Sequence, residues 1–157
     1  YEKKPEKSGD LNRAKRRALH ILERSDRTEQ ELRDKLLKNY LPEVVDAAVE
    51  YVKSYHYIDD RQYAMDYIEY HQESKTKQKL LQSLMSKGLS KELILECFDE
   101  IVGDRKKELE EEQILKILRK KNYDPEQWTF EEKQRLMASL YRKGFSSELI
   151  HVHFYLT

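Results

Sequence analysis

Apolar residues recur along this chain at spacings of three and four, the period of an α-helix with one buried face. Leu11, Ala14, Ala18, Ile21 and Leu22 form the first such stripe, and Leu32, Leu36 and Leu37 the second. Val44, Val45, Ala48, Val49 and Val52 form a third. Further along, Tyr63, Ala64, Tyr67, Ile68 and His71 give another, as do Ile114, Ile117 and Leu118. No run alternates with period two, so the pattern predicts helices and no strand.

The stripes belong to a repeat. Residues 83–94 and 139–150 agree at eight of twelve positions under a fixed offset of 56, and Leu89/Phe145 is an apolar exchange. In each copy an amphipathic helix runs into Lys87-Gly88 or Lys143-Gly144. A glycine just past a helix end takes the left-handed conformation that other residues resist. Ser90 and Ser146 then stand as caps for a following helix that turns Leu93 and Ile94, or Leu149 and Ile150, inward. Thr76 and Thr129 are placed to cap the preceding helix, and Thr129 with Glu132 makes a capping box. A degenerate third copy lies near the start. Thr28 and Glu31 form its capping box, and Asn39-Tyr40-Leu41-Pro42 replaces the Lys-Gly turn, with Pro42 opening the next helix. Each pair has a further helix in front, the third following a charged run from Asp104 to Glu112.

Three helices, three times, predict an all-α chain of three tandem three-helix repeats, elongated and curved. The expected units are 1–56, including a basic N-terminal stretch, then 57–103 and 104–157. Composition sharpens this. Charged and hydrophobic residues each make up 38% of the 157 residues, and the mean hydropathy is −0.94. Such a balance suits narrow apolar seams on solvated helices. No apolar run approaches the roughly 20 residues of a bilayer span, no signal peptide is visible, and one cysteine excludes an internal disulfide framework. A cytoplasmic monomer is expected. The chain opens with Tyr1 and not Met, which points to a missing N-terminal segment.

Tyr57-Ile-Asp-Asp-Arg-Gln-Tyr-Ala64, followed by Leu84-x-x-Lys-Gly-Leu-Ser-x-Glu-Leu-Ile94, resembles the middle repeat of the bacterial RecX regulatory family. Ala14 to Leu22, with Arg24-Ser25-x-Arg27-Thr28-x-x-Glu31-Leu32-x-x-Lys35-Leu36, resembles its first repeat, and Arg142 to Ile150 the end of its third. The resemblance implies a non-enzymatic protein of DNA repair and recombination and the SOS response, without cofactor. Such a protein lodges in the groove of the RecA recombinase filament on single-stranded DNA. There it restrains ATPase, strand-exchange and coprotease activities. Contact with single-stranded DNA is then made by way of the filament.

Charge is balanced overall, with 30 basic and 30 acidic residues, which disfavours tight autonomous DNA binding. It is segregated locally. Five lysines and no acid lie between Ser74 and Lys91, and eight basic against four acidic residues between Tyr1 and Arg24. Lys79 and Arg135 are equivalent under the 56-residue offset, and both are expected in mid-helix on a polar face. Lys75, Lys79, Gln82 and Ser86 are expected on one face, and Arg135, Ser139 and Arg142 on its counterpart. The candidate partner-binding residues are therefore Lys75, Lys79, Lys87, Arg135, Arg142 and Lys143. Charges on helix faces are ordinarily just solvated, and cations such as Lys87 and Lys143 are favoured near a helix C-terminus by its dipole.

Other candidates have simpler readings. Asp59-Asp60 suggests paired carboxylates, but Asp59 with Gln62 is placed as a helix cap. His151 and His153 point to different sides of a helix, so no zinc set is expected. Cys97 lies in an apolar stretch and reads as core. Tyr51, Tyr63 and Tyr67 fall at core spacing, which favours packing over base stacking. No catalytic or metal-binding set emerges. Beside the regulator stands an alternative: a helical protein that binds DNA directly through basic faces, which would show steep salt dependence without a second protein.

Overall fold

The computed structural model describes residues 6–155. The helices are α1 (Leu11–Arg24), α2 (Glu29–Leu37), α3 (Pro42–Ser54), α4 (Asp60–His71), α5 (Lys77–Ser86), α6 (Lys91–Val102), α7 (Lys106–Lys120), α8 (Phe130–Arg142) and α9 (Ser147–Tyr155). A 3₁₀ turn at Gly103–Arg105 joins α6 to α7. The charged run from Asp104 thus continues into α7 and is not a linker before it.

Local chemistry places the helix ends. Thr28 and Thr129 form complete capping boxes with Glu31 and Glu132. Thr76, Ser90 and Asp59 accept the backbone N–H of Lys79, Leu93 and Gln62. Pro42 sits in the first turn of α3. At the other ends, Gly88 and Gly144 have φ of +91° and +88°. The amides of Leu89 and Phe145 reach back to the carbonyls of Leu84 and Leu140, the closing bond of a Schellman turn. His56 and Asn122 end α3 and α7 in the same way with positive φ. The first inter-helix turn is built differently. Ser8 pairs with it in a short parallel bridge, its N–H donating to Asn39 O and its carbonyl accepting from Leu41 N–H. Nothing in the sequence pattern assigns Ser8 a role.

Each repeat has its own core. Ala14, Ala18, Leu32, Leu36, Val45 and Val49 centre the first. Ala64, Ile68, Leu80, Leu84, Ile94 and Cys97 centre the second, and Ile114, Leu140, Phe145 and Ile150 the third. The first and third helices of repeats one and two pack closely, α1 on α3 and α4 on α6. Two residues cross the divisions: Ile58 seals the first core ahead of α4, and Leu109 joins the second from α7. The exposed area is 11018 Å² for a 19.0 kDa chain, where a compact monomer would expose about 8,400 Å². The excess fits an elongated row of modules.

The modules interlock through one device used twice. In the first junction, the Lys87-Gly88 turn of repeat two rests on the start of α2. The Thr28 hydroxyl, fully buried, donates to Lys87 O at 2.6 Å while accepting from Glu31 N–H. Asp60 accepts the Glu29 N–H at 2.9 Å. The Asp-Asp pair therefore splits: Asp59 caps its own helix and Asp60 caps a helix of the preceding repeat. In the second junction the Gln78 amide faces the carbonyls of Arg142 and Lys143, and with its nitrogen turned to them, the orientation that satisfies all three groups, it donates at 2.7 and 2.9 Å. Gln113 ties the same junction by donating to the carbonyls of Gln72 and Lys75.

Candidate partner-binding surface

Both junctions leave a cleft on the surface, and the two differ in chemistry. The cleft between repeats two and three has a volume of about 200 Å³. Lys75, Lys77, Lys106 and Lys143 line it together with the carboxylate of Glu110 and the ring of Phe98. Lys77 Nζ lies 5.1 Å and Lys106 Nζ 5.8 Å from the ring centroid. Burial pushes Lys77 below the ordinary lysine range, and the neighbouring Lys106 pushes it further. Lys106 moves the other way, because Asp99 holds its ammonium at 2.9 Å. Two ammonium groups thus share one aromatic ring. Asp99 and Glu110 offset part of their repulsion.

The six candidates separate on this frame. Lys143 lines the lysine cleft, and Lys75 lines it with its stem while its ammonium turns to the Tyr67 side. Lys75 precedes the Thr76 cap, so it is not on α5 and does not share a helix face with Lys79. Its Nζ donates to Tyr67 Oη at 2.8 Å. Lys79 is exposed in the first turn of α5, its N–H bonded to Thr76, and is not in mid-helix. Arg135 is exposed farther into α8, which has 13 residues against 10 in α5. The two positions keep the same distance from the Lys-Gly turn but not from the cap. Arg142 is exposed at the last turn of α8. Lys87 stands apart in the first junction, half-buried, with Nζ 3.9 Å from Glu31. Lys77 and Lys106 were not singled out in the sequence. The signal for Lys77 was its place in the acid-free lysine run, whereas Lys106 joins only through the packing of α7.

The cleft between repeats one and two is larger, about 510 Å³. Tyr63, Tyr67 and Tyr70 of α4 form one wall, with Tyr57 and His56 at the rim. Tyr63 and Tyr67 do pack on the second core, as their spacing suggested, but they are half-buried and also face this cleft. Their rings stack at 6.4 Å, and Tyr67 meets His71 at 4.4 Å. Burial raises the Tyr67 hydroxyl, but hydrogen bonds from Lys75 and Ser83 outweigh it, and the net shift is downward. Burial lowers His71, and Lys75 adds to the effect. Asp26, Asp59 and Asp66 supply carboxylates.

Among the described residues, no group of three His, Cys, Asp or Glu could hold a metal ion, and no helix is long and apolar enough to cross a membrane. Cys97 is buried in the second core.

Residues 14–51 match the model of the RecX first three-helix domain and residues 108–151 that of the RecX third three-helix domain. A regulatory protein RecX from Clostridium beijerinckii is 34% identical over 90% of this chain and 67% of its own length. One from Clostridium botulinum is 32% identical over 85% of this chain and 63% of its own. The chain thus spans about two thirds of the length of these relatives. Among solved structures, a crystal structure of regulatory protein RecX superposes with a TM-score of 0.74 at 25% identity, covering 94% of this chain and 73% of the other.

Proposed function

The chain belongs to the RecX family, and from that premise we propose that it is a non-enzymatic cytoplasmic regulator that binds the RecA recombinase filament on single-stranded DNA. In this reading it restrains the filament's ATPase, strand-exchange and coprotease activities. The observation that carries the reading is the match of both end repeats to the RecX three-helix domains, joined by the middle repeat that packs between them. A row of interlocked modules is suited to follow a helical groove, because such modules present an extended surface.

Lys77, Lys106 and Lys143 at the second junction would face phosphate or acidic protein, with Lys79, Arg135 and Arg142 on exposed helix faces beside the same repeats and the Lys75 ammonium held by Tyr67. Lys87 serves the junction itself through Glu31. Balanced total charge favours a partner that supplies most of the contact area over autonomous binding to DNA.

DNA-dependent ATP hydrolysis by the cognate RecA protein, followed with and without the chain, tests the proposal. Suppressed turnover at stoichiometric ratios is the expected result. Unchanged turnover, together with salt-sensitive binding to bare oligonucleotide, would transfer the function to direct DNA binding.

A further inference from the structure

The larger cleft does not fit nucleic acid. Its carboxylates are Asp26, Asp59 and Asp66 against the single guanidinium of Arg27, which leans toward Glu31 at 3.8 Å; His56, Gln62 and His71 also line it, and Gln62 Nε2 donates to Asp66 at 2.8 Å. A phosphate backbone entering here would meet three carboxylates. The aromatic wall has the opposite preference, because ring faces attract cations through their quadrupole. At the cleft's edge one cation is already seated against this wall: Lys75 Nζ donates to the Tyr67 hydroxyl at 2.8 Å, beside the ring and not over its face. Tyr70 is 84% exposed and Tyr57 56% exposed, although both are large aromatic side chains. Exposed tyrosine beside a concave surface is the composition of a protein-binding hot spot.

The geometry points to a recognition site for a basic side chain, an arginine above all, projecting from the partner protein. The guanidinium would stack on the exposed Tyr70 ring while its N–H groups reach Asp26 and the Asp66 oxygen that Gln62 leaves open. Arginine is preferred to lysine because its planar cation both stacks and offers several donors. Asp59 is engaged in capping α4, so it contributes field more than direct contact. The two clefts then divide the work: the lysine cleft meets anionic surface, and the tyrosine–aspartate cleft meets cationic surface. This inference rests on the proposed regulator only for the partner's identity.

Two measurements test it. In the first, the isotope-labelled chain is titrated with N-acetyl-arginine amide, with N-acetyl-glutamine amide and an oligothymidylate in parallel. The ring resonances of Tyr63, Tyr67 and Tyr70 should respond to the arginine probe alone, with the response weakened about tenfold in Asp26→Asn/Asp66→Asn. No response, or a stronger one to the oligonucleotide, overturns the site. In the second, binding to RecA filaments is compared for the wild type and Asp26→Lys/Asp66→Lys, with helicity checked by circular dichroism. Weaker binding by the folded variant supports the site, and equal binding overturns it. A wild type that does not bind filaments at all defeats the regulator reading instead, and the first measurement then decides the cleft.

Discussion

Gly88 lies against Gln30 across the first junction: a Cβ on Gly88 would collide with the Cβ of Gln30. The equivalent contact at the second junction is looser, with Gly144 facing the Gln78 Cβ at 3.3 Å. Both glycines hold positive φ, so any side chain at either costs about 1–2 kcal/mol in backbone strain. At Gly88 overpacking adds about 1–3 kcal/mol, and at Gly144 less, because Gln78 has to give only slightly. Gly88→Ala should therefore lower the thermal midpoint clearly more than Gly144→Ala. Equal melting by circular dichroism would show that the first junction yields without cost.

Thr28 and Thr129 both cap helices, but only Thr28 is buried and donates to another repeat. Thr28→Val keeps the shape and removes the hydroxyl, leaving Lys87 O and Glu31 N–H without their partner. The cost should be about 2–3 kcal/mol, against about 1 kcal/mol for Thr129→Val. Urea unfolding of the two variants measures the difference. A Thr28→Val penalty no larger than that of Thr129→Val would mean that the cross-repeat bond adds nothing.

His71 should titrate below the free-imidazole value of about 6.5, because burial and then Lys75 disfavour its charged form. The unfolded chain takes up this proton first. Stability from this group is thus complete above pH 6.5 and falls as pH drops through the folded midpoint. Lys75→Met should raise the midpoint only partway, since burial is the larger cause. Proton NMR of the imidazole checks both statements. A midpoint at or above the free value would remove His71 from the packed wall of α4.

The parts legible in the sequence are those that a few consecutive residues decide. Thr28-x-x-Glu31 makes its capping box and Gly88 its turn wherever the helix ends, because the groups that satisfy them are three to five residues away. What lay hidden depends on residues brought together by packing. Nothing near Gly88 in sequence indicates Gln30, and nothing near Lys77 indicates Lys106. Tyr63 and Tyr67 have the spacing of core residues because they do pack on the core. That their other faces line a cleft follows from where repeat one ends. Lys79 lies in the first turn and not in mid-helix for a simpler reason. Alignment on the Lys-Gly turn does not register that α8 begins three residues farther from its turn than α5 does.

That placement makes Lys79 a sharper probe than Arg135. It occupies the third position of α5, where Glu31 and Glu132 complete the boxes of α2 and α8. A cation there opposes the helix dipole, and a glutamate would complement it by about 0.3–1 kcal/mol. Lys79→Glu should thus leave the fold as stable as before or slightly more so, and could close a capping box with Thr76. If the lysine is retained for a partner, the same change should weaken filament binding and reduce its dependence on salt, since a cation facing phosphate or carboxylate has been reversed. Arg135→Glu lies beyond the first turn of α8 and should weaken binding without the gain in stability. Melting curves and filament-binding isotherms at two salt concentrations separate the effects. A Lys79→Glu variant that melts higher and binds filaments as well as the wild type would make the lysine a solvated residue on an unfavourable helix position. The anionic partner would then be held by Lys77, Lys106 and Lys143 in the second cleft.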